Sequence, residues 1–270
     1  MKGLIIAAGR GERLRPFTEE KPKPLTPLLG LRLIERVILS AKEAGIKEFV
    51  IVTGYLGRDL MSFLGDGSRY GVKIEYAENR MWEKGNGVSV YEARKLLKER
   101  FILLMSDHIF NPEILSTIRE FDIDEEECVL CVDVRMRYVF DMEDATKAKV
   151  VDGKIVDIGK NIEEYDGVDM GIFLCSPYIF KVLKKNIEKR RYSLTESIKE
   201  MARQGKMKAY CIDDETLYWI DIDTFESLRF AEKILLLHKL QKGDTRVKPR
   251  WELLTANAIR SIEEVEDREG

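Results

Sequence analysis

The amino-acid sequence predicts an α/β protein with a doubly wound, mostly parallel sheet. Short apolar runs alternate with segments of helical spacing through the first half of the chain, as in repeated β-α-β units. A glycine-rich turn, Gly9–Gly11, directly follows the first apolar run. Further along, Asp152-Gly153 separates two strand-like segments and predicts a β-hairpin inserted into the sheet. Ligand sites in such sheets lie at the carboxyl ends of the strands.

The first half is predicted to contain five strands and four helices. Gly45 can end the first helix as its C-terminal cap, and Asn111 can cap the fourth, with Pro112 at its first position. Continuous apolar runs predict buried strands at residues 3–8, 48–53, 72–76, 101–106 and 127–134. Apolar residues three and four apart predict the other helices at residues 33–44, 58–64 and 89–97.

The second half is predicted to continue the same domain with a different order of elements. It begins with the two hairpin strands within residues 147–158. Thr224 can cap a long final helix. We therefore predict one domain over residues 1–240. Its remaining strands are expected at 169–175 and 208–212, and its helices at 177–187, 194–204 and 224–240.

Residues 241–270 are predicted to form a polar linker followed by an amphipathic helix. The linker is residues 241–250 (QKGDTRVKPR). The stripe of apolar side chains beyond it predicts packing either on the parent domain or on another surface, which would be a second copy in a homodimer or a different partner. Its members, spaced three and four residues apart, are Trp251, Leu254, Ala258, Ile262 and Val265.

Composition excludes several classes of function. The 270 residues carry 45 Lys and Arg against 48 Asp and Glu, a net charge of −3, which argues against a general nucleic-acid binder. No apolar run approaches the roughly 18 residues of a membrane span, and Leu4–Ala8 is too short for a signal peptide. We interpret the C-x-x-C pair Cys128 and Cys131 as buried strand residues rather than a redox or zinc site. A cytoplasmic protein is expected.

The balance of charged and amide residues is typical of heat-adapted proteins. Charged residues make up 34% of the chain, against about 25% in average soluble domains. Asn and Gln together number eight. Hyperthermophile proteins favour ion-pair networks and avoid thermolabile amides, so we hypothesise a thermophilic source.

The strongest chemical signal is the segment Ala7–Leu25 (AAGRGERLRPFTEEKPKPL), directly after the first strand. Glycines there let backbone N–H groups approach phosphate oxygens without an intervening Cβ atom. Arg10, Arg13 and Lys23 add positive charge. The segment matches neither of the two common nucleotide-binding glycine patterns. Its combination of A-A-G-x-G-x-R-L-x-P with a later K-P-L is much more specific.

This segment resembles the signature loop of the sugar-phosphate nucleotidyltransferase family, which joins a nucleoside triphosphate to a phosphorylated sugar or alcohol and releases pyrophosphate. The resemblance covers about residues 1–235 and implies a Rossmann-like sheet whose hairpin binds the acceptor. It implies two catalytic groups: Arg13 would hold the β- and γ-phosphates, and Lys23 the α-phosphate. It also implies that the nucleotide pocket is lined by Ala7, Ala8, Gly9, Arg10 and Gly11.

Two acidic stretches are candidates for a Mg²⁺ site. Asp107 follows the fourth predicted strand, and a carboxylate there suits a hard cation. The resemblance places the second metal carboxylate at Asp221, and Asp223 lies on the same face if the segment is extended. Taken singly, each aspartate is equally consistent with a surface turn. Together, in this order after the glycine loop, they predict a metal site, where His108 would orient Asp107.

A second glycine-bearing loop, Gly85-Asn86-Gly87, precedes a predicted helix. By the resemblance, this loop reads the nucleotide base. The Asn86 side chain has both a donor and an acceptor for a base edge. Asn is also a favoured helix N-cap, and the two roles are compatible.

The acceptor site is implied to lie in the second half. Family members have a Glu-Lys pair where this chain has Gly159-Lys160, so the lysine is kept and the glutamate that reads a hexose hydroxyl is missing. Asp169 and Gly171 of the following VDMG stretch complete the implied acceptor set together with Lys147. Taken singly, the two lysines are equally consistent with solvated strand charges.

The EKGNG, Asp-His, DATKAKVVDGKIVDIGK and VDMG stretches together resemble one subgroup, the CTP:inositol-1-phosphate cytidylyltransferases. In that subgroup Lys147 joins Lys160 around the inositol phosphate. The resemblance implies Mg²⁺-dependent cytidylyl transfer from CTP to inositol 1-phosphate, giving CDP-inositol and pyrophosphate. The alternatives are a phosphocholine cytidylyltransferase, a hexose-1-phosphate nucleotidyltransferase and a non-catalytic nucleotide-binding subunit. Some relatives are fused to a membrane CDP-alcohol phosphotransferase, which implies coupling to such an enzyme.

Overall fold

The computed structural model describes residues 1–136 and 139–241. Seven α-helices lie within these residues, at Leu33–Glu43 (α1), Gly57–Leu64 (α2), Asn86–Glu92 (α3), Pro112–Ile118 (α4), Ile179–Glu188 (α5), Leu194–Arg203 (α6) and Phe225–Gln241 (α7). The strands of the same residues are Lys2–Ala7 (β1), Pro27–Leu28 (β2), Leu31–Arg32 (β3), Glu48–Thr53 (β4), Lys73–Glu78 (β5), Phe101–Met105 (β6), His108–Phe110 (β7), Cys128–Asp133 (β8), Lys147–Val151 (β9), Lys154–Gly159 (β10), Gly167–Cys175 (β11), Met207–Ile212 (β12) and Trp219–Asp221 (β13).

A mixed sheet in the order β5-β4-β1-β6-β11-β8-β12-β10-β9 forms the centre of the protein. Neighbours pair in parallel from β5 to β6 and between β8 and β12. Strand β11 runs antiparallel to both of its neighbours, β6 and β8, and β10 is antiparallel to β9 and β12. The remaining strands share one direction, which confirms the predicted doubly wound, mostly parallel α/β fold and adds an antiparallel strand in its middle.

Most predicted elements occur within a few residues of their predicted bounds. The hairpin β9–β10 turns at Asp152 and Gly153, which both have positive φ angles of 48° and 73°, as its two-residue turn requires. Asn111 accepts a hydrogen bond from the Glu113 N–H and caps α4. The linker and the amphipathic stripe predicted within residues 241–270 lie almost entirely beyond Gln241, outside the described residues.

Two apolar layers cover the sheet, one on each face. Alternate residues of β1 enter different layers: Ile5 packs on the side of α1, and Leu4 and Ile6 pack on the side of α5 and α6. Cys128 and Cys131 are both fully buried in β8, which agrees with their interpretation as strand residues. Among the described residues, none of the helices has the length and apolar character that a membrane crossing requires.

A small ribbon made of β7 and β13 lies beyond the carboxyl end of β6. The antiparallel pairing places Asp221 opposite His108, and the Ile222 N–H donates to the Asp107 carbonyl at 3.1 Å. Two segments more than 100 residues apart in the chain are therefore joined next to the glycine loop that follows β1.

Candidate active site

The three aspartates predicted to hold a metal lie together around the β7–β13 ribbon. Asp107 precedes β7, Asp221 ends β13, and Asp223 follows two residues later. One potential ligand atom from each of Asp107, His108 and Asp221 lies within 4.8 Å of the others. The register of the ribbon, rather than the sequence spacing, produces this cluster.

Lys23 lies at the centre of the acidic cluster. Its Nζ atom lies 2.5 Å from Asp107 Oδ2 and also donates to Asp223 Oδ1, while only 8% of its side chain is exposed. Burial alone would lower the lysine pKa, but Asp107 and Asp223 outweigh burial and raise the pKa above its ordinary value. Lys23 is therefore a fixed positive charge at neutral pH.

The glycine loop makes room for that lysine. Gly11 has a φ angle of +68°, and a Cβ atom there would lie 2.6 Å from the Lys23 side chain. Only glycine fits both the left-handed conformation and the close approach. Gly11 thus has a packing reason for its presence in addition to the phosphate contacts expected from the sequence.

Opposite charges alternate along a row of six side chains through the site. Arg13 donates to Asp144 Oδ2 at 2.9 Å and to Asp223, and Lys160 donates to the other oxygen of Asp144. Asp223 also accepts from Lys23. In order, the row is Lys160, Asp144, Arg13, Asp223, Lys23 and Asp107.

Asp144 was not singled out from the sequence. It precedes the Ala145-Thr146-Lys147 stretch in the loop between β8 and β9. Its only sequence signal is that position next to a stretch implied to bind the acceptor, because a lone aspartate in a loop has no periodic pattern.

His108 connects the acidic cluster to β11. Its Nδ1 atom lies 2.9 Å from the Met170 carbonyl oxygen, and Nε2 lies 3.3 Å from Asp221 Oδ1 and 3.8 Å from Asp107 Oδ1. Burial lowers the His108 pKa, but the two carboxylates outweigh it and raise the pKa to about 10. Without a bound cation, His108 is thus a second positive charge next to Asp107 and Asp221.

A divalent cation fits the oxygen atoms of this cluster. Asp221 Oδ1 is buried and has no hydrogen-bond partner among the described residues, since His108 approaches it at an ion-pair distance without hydrogen-bond geometry. Mg²⁺ prefers such carboxylate oxygens and is often held by one or two of them. The donor set of Asp107 and Asp221 therefore suits Mg²⁺: Lys23 contacts only one oxygen of Asp107, whereas both oxygens of Asp223 are paired, with Lys23 and with Arg13.

Gly171 and Asp169 shape the wall beside His108. Gly171 has a φ angle of +67°, and a Cβ atom there would lie 2.5 Å from His108 Nδ1. Asp169 Oδ1 accepts the Gly171 N–H at 2.7 Å. Although Asp169 is partly exposed, the surrounding protein desolvates its carboxyl and raises the pKa to about 6.

Two cavities meet at the charged row. A larger one of about 530 Å³ is bounded by the glycine loop, and its walls include Ala7, Ala8, Gly9, Gly11, Lys23 and Gly85. A smaller one of about 290 Å³ is bounded by β11 and the Asp144 loop, and its walls include Asp144, Lys160, Asp169, Gly171 and Asp221. The residues common to both walls are Arg13, Asn86, Met105, Asp107 and Asp223.

Three of the residues predicted for the site are not on either wall. Arg10 is exposed, pairs with Glu12 at 3.3 Å and lies over the Tyr55 ring. Lys147 donates to the Lys160 carbonyl oxygen at 2.8 Å, so it contacts the backbone of the other predicted lysine. Gly87 packs against the backbone of the loop that precedes α6.

The Gly85–Gly87 loop is held against the start of α6. A Cβ atom on Gly85 or on Gly87 would lie 2.7 Å from the Tyr192 carbonyl oxygen. The residue type of Asn86 favours an N-cap role, but Asn86 is the first residue of α3 and does not cap this helix. Its side-chain oxygen instead accepts the Leu194 N–H of α6 at 2.8 Å. The hydrogen bond to α6 fixes the amide oxygen of Asn86. Asn86 lies on the walls of both cavities.

Comparison with known proteins shows the family to which the chain is similar. A family model described as "Nucleotidyl transferase" matches residues 2–140. A "Bifunctional IPC transferase and DIPP synthase" from Rubrobacter xylanophilus is 35% identical over 233 residues, which are 86% of this chain and 51% of that protein. A UTP–glucose-1-phosphate uridylyltransferase from Haloferax volcanii is 27% identical over 76% of this chain and 85% of its own.

A solved structure shares the fold. The inositol-1-phosphate CTP transferase from T. maritima superimposes with a TM-score of 0.78 at 27% identity, covering 88% of this chain and 96% of that one. This chain spans about half the length of the bifunctional relative. The family resemblance inferred from the glycine loop and the later motifs is confirmed, and the chain belongs to the nucleotidyl transferase family.

Proposed function

We propose that the chain transfers the cytidylyl group of CTP to inositol 1-phosphate and forms CDP-inositol and pyrophosphate. The observation that carries this proposal is the junction of the two cavities at Arg13, Asp107 and Asp223. A nucleotide in the larger cavity and a phosphorylated acceptor in the smaller one would meet at these charges. The T. maritima neighbour, an inositol-1-phosphate CTP transferase by its name, supports inositol 1-phosphate as the acceptor.

The reaction requires positioning and charge neutralisation rather than a protein nucleophile. A phosphate oxygen of the acceptor attacks the α-phosphorus of the triphosphate, an O–P bond forms, and the bond to the β-phosphate breaks to release pyrophosphate. The acceptor is already ionised, so no base is needed to activate it. Catalysis of such transfers comes from alignment and electrostatic stabilisation.

Each cation has a proposed partner among the phosphates. Lys23, whose raised pKa keeps it protonated, would stabilise the charge on the α-phosphate. Arg13 lies on both walls and would hold the β- and γ-phosphates and the leaving pyrophosphate. Lys160 lines the smaller cavity and would bind the acceptor phosphate.

We propose Asp107 and Asp221 as the Mg²⁺ ligands, because their oxygens are close together and one of them, Asp221 Oδ1, accepts no hydrogen bond from the described residues. A bound Mg²⁺ would supply positive charge to neutralise the phosphates. Asp223 would support the site by orienting Lys23 and Arg13, its partners in the structure.

The acceptor end of the smaller cavity favours a polyol over a hexose. By the family resemblance, Gly159 stands where hexose-specific relatives have a glutamate, and Asp169 is one of the acidic residues on the cavity wall. A hexose 1-phosphate is the second candidate acceptor, since the Haloferax relative is a UTP–glucose-1-phosphate uridylyltransferase by its name.

A substrate panel tests the proposal. CTP, UTP and dTTP are each combined with inositol 1-phosphate, phosphocholine and glucose 1-phosphate, and pyrophosphate release is measured with and without Mg²⁺. We expect the fastest release with CTP and inositol 1-phosphate, and none without an acceptor. Preference for UTP or dTTP with glucose 1-phosphate would support the hexose alternative. Tight nucleotide binding without turnover on any acceptor would support a non-catalytic subunit.

A phosphotransferase is the class of enzyme that would consume the product. A CDP-alcohol stores the energy of its pyrophosphate bond, and transfer of its phosphoalcohol group to a second alcohol releases CMP. The bifunctional name of the Rubrobacter relative, with a second synthase activity in the same protein, supports coupling of this chain to such an enzyme.

A further inference from the structure

Asp144 is the one carboxylate of the charged row that the proposed reaction does not use. It lies in the loop between β8 and β9 and on the wall of the smaller cavity. One of its oxygens accepts from Arg13 at 2.9 Å, and the other accepts from Lys160. The carboxylate thus bridges two cations from separate parts of the chain, the glycine loop and the end of β10.

Of the two cations, Lys160 is the one proposed for the acceptor phosphate, and Arg13, proposed for the β- and γ-phosphates, lies on the walls of both cavities and also faces the acceptor side. A phosphate monoester dianion offers oxygens to both cations, as Asp144 does, and carries twice its charge. It would therefore compete for the same donors and interact with them more strongly. The Asp144 bridge and a phosphate at this position exclude each other, because Arg13 and Lys160 cannot hold both at the same distance.

The bridge is weak enough to be replaced. The side chains of Arg13, Asp144 and Lys160 are 47%, 40% and 54% exposed, and exposed ion pairs contribute little net free energy because water screens them. Lys160 and Arg13 lower the pKa of the Asp144 carboxyl, so it is charged at neutral pH. No other side chain among the described residues binds the Asp144 carboxylate, which therefore has no evident role in the core.

We propose that Asp144 occupies the acceptor-phosphate site of the empty enzyme and is displaced from Arg13 and Lys160 when the phosphate monoester binds. The inference rests on the proposed function for the identity of the acceptor. Asp144 then lowers the affinity for phosphate, and it selects for dianions, because an anion of single charge gains little by replacing a carboxylate. It is a specificity-determining residue that acts by competition.

Calorimetric titration of the full chain tests this role without turnover. Inorganic phosphate and inositol 1-phosphate are titrated at low salt into the wild type, Asp144→Asn and Glu143→Gln. We expect Asp144→Asn to bind both ligands about three- to tenfold more tightly, the gain from releasing two exposed ion pairs. Glu143→Gln removes an exposed neighbouring charge and controls for net charge. Thermal unfolding of each variant verifies that it is folded.

A double variant locates the phosphate. If it binds between Arg13 and Lys160, the gain of Asp144→Asn measured in a Lys160→Met background should be smaller than in the wild-type background, because only the Arg13 pair remains to be released. If the gain is undiminished, the phosphate binds elsewhere, for example in the nucleotide cavity, and the inference is wrong. In turnover assays, the acceptor KM should fall in Asp144→Asn by more than the CTP KM.

Two further results would overturn the inference. Weaker binding in Asp144→Asn would show that the carboxylate contacts the acceptor directly, and an equal gain in Glu143→Gln would show an effect of net charge alone. The proposed function fails separately: a chain without turnover on any acceptor, whose Asp144→Asn variant still binds phosphate more tightly through Lys160, would contradict the function and support the role of Asp144.

Discussion

Two carboxyl groups on the wall of the smaller cavity have opposite pKa shifts. Asp144 is held between Lys160 and Arg13, and these cations lower its pKa. Asp169 is desolvated by the surrounding protein, and its pKa rises to about 6. Environments that separate the pKa values of two acids in one cavity are typical of functional sites. At neutral pH Asp144 is firmly ionised, whereas Asp169 ionises at a cost in stability.

The Asp169→Asn substitution should remove that cost. In the wild type the native state holds the Asp169 proton up to about pH 6, and the unfolded state releases it near pH 4. The free energy of unfolding therefore falls as the pH rises from about 4 to 6. The variant has no carboxyl group at this position, so its free energy of unfolding should not fall in this range. At pH 7 it should exceed that of the wild type by on the order of 2 kcal/mol, and at pH 4 the two should be similar.

Urea unfolding of Asp169→Asn between pH 4 and pH 7 measures this difference. Asp152→Asn, at the exposed turn of the β9–β10 hairpin, is the control. A stability difference between Asp169→Asn and the wild type that is the same at every pH would contradict the shift. Since Asp169 lines the smaller cavity, the proposed acceptor site, lower activity in the more stable variant would fit the usual trade-off between activity and stability.

The Asp107→Asn substitution should reduce Mg²⁺-dependent pyrophosphate release by about 10²–10³-fold, the usual effect of removing a preorganised charge. The fold should persist, because Lys23 keeps Asp223 as an ion-pair partner. Rates over a range of Mg²⁺ concentrations measure the effect. Asp213→Asn, an exposed position outside both cavity walls, is the control. Near-normal turnover in Asp107→Asn would remove Asp107 from the metal site.

At the scale of elements, β11 connects the sheet to the site. It lies between β6 and β8, its Met170 carbonyl oxygen accepts a hydrogen bond from His108 Nδ1 at 2.9 Å, and its pairing with β8 shifts register between Asp169 and Phe173. The irregular stretch bends at Gly171, whose φ angle is positive. This local break in the ladder lets His108 pack directly against the β11 backbone.

Gly171→Ala should therefore cost more stability than Gly153→Ala. Both glycines have similar positive φ angles, +67° and +73°, but only Gly171 would place a Cβ atom within 2.5 Å of His108, while nothing lies within 4 Å of Gly153. The backbone strain alone costs about 1–2 kcal/mol. We expect Gly153→Ala to show that cost and Gly171→Ala to exceed it by about 1–3 kcal/mol, as overpacked sites do.

Urea unfolding gives both stabilities, and pyrophosphate release gives the effect on activity. Gly171→Ala should also slow turnover, because a displaced His108 would move away from Asp221. Gly153→Ala should leave turnover unchanged. If both variants lose the same free energy of unfolding, the close approach of the new Cβ atom to His108 adds no cost in stability.

Over the whole molecule, ion pairs connect elements that are distant in the chain. Lys2 pairs with Glu75 across the β5 side of the sheet, and Lys199 on α6 pairs with Asp157 on β10. Single exposed ion pairs contribute little to folding stability at 25 °C. Networks of ion pairs stabilise the fold more at high temperature, because the cost of desolvating charges falls.

We expect the full chain to unfold above about 65 °C, the upper end of the range for mesophile domains. Calorimetry at low salt and in 1 M NaCl measures the midpoint. The midpoint should fall in high salt, because ions screen exposed pairs. A midpoint between about 45 and 65 °C would contradict the thermophile hypothesis.

The fold was predictable because its signals are local. Apolar runs and helical spacing depend on residues two to four positions apart, and they predicted β4 at Glu48–Thr53 with the bounds it has in the structure. The start of α3 was predicted three residues too late, since Asn86 is the first helical residue. Its glycine neighbours weaken the helical signal, and contact with α6 compensates for them.

The candidate site was predictable only in part. The glycine loop, Asp107 and Asp221 follow or end strands, and sequence motifs identify such positions directly. Arg10 and Lys147 carry the expected charge but lie on neither cavity wall. Their side-chain directions depend on contacts with Tyr55 and with the Lys160 carbonyl, which no spacing in the sequence indicates.

By itself, the sequence determined the α/β class, the hairpin at Asp152-Gly153 and the family to which the chain belongs, because these follow from local periodicity and contiguous motifs. Only the tertiary structure decided that β11 lies antiparallel in the middle of the sheet and that two cavities share a charged wall. Arg13 contacts Asp144 and Asp223, which are 131 and 210 residues away in the chain. Contacts over such separations depend on strand order and register, which local sequence patterns do not encode.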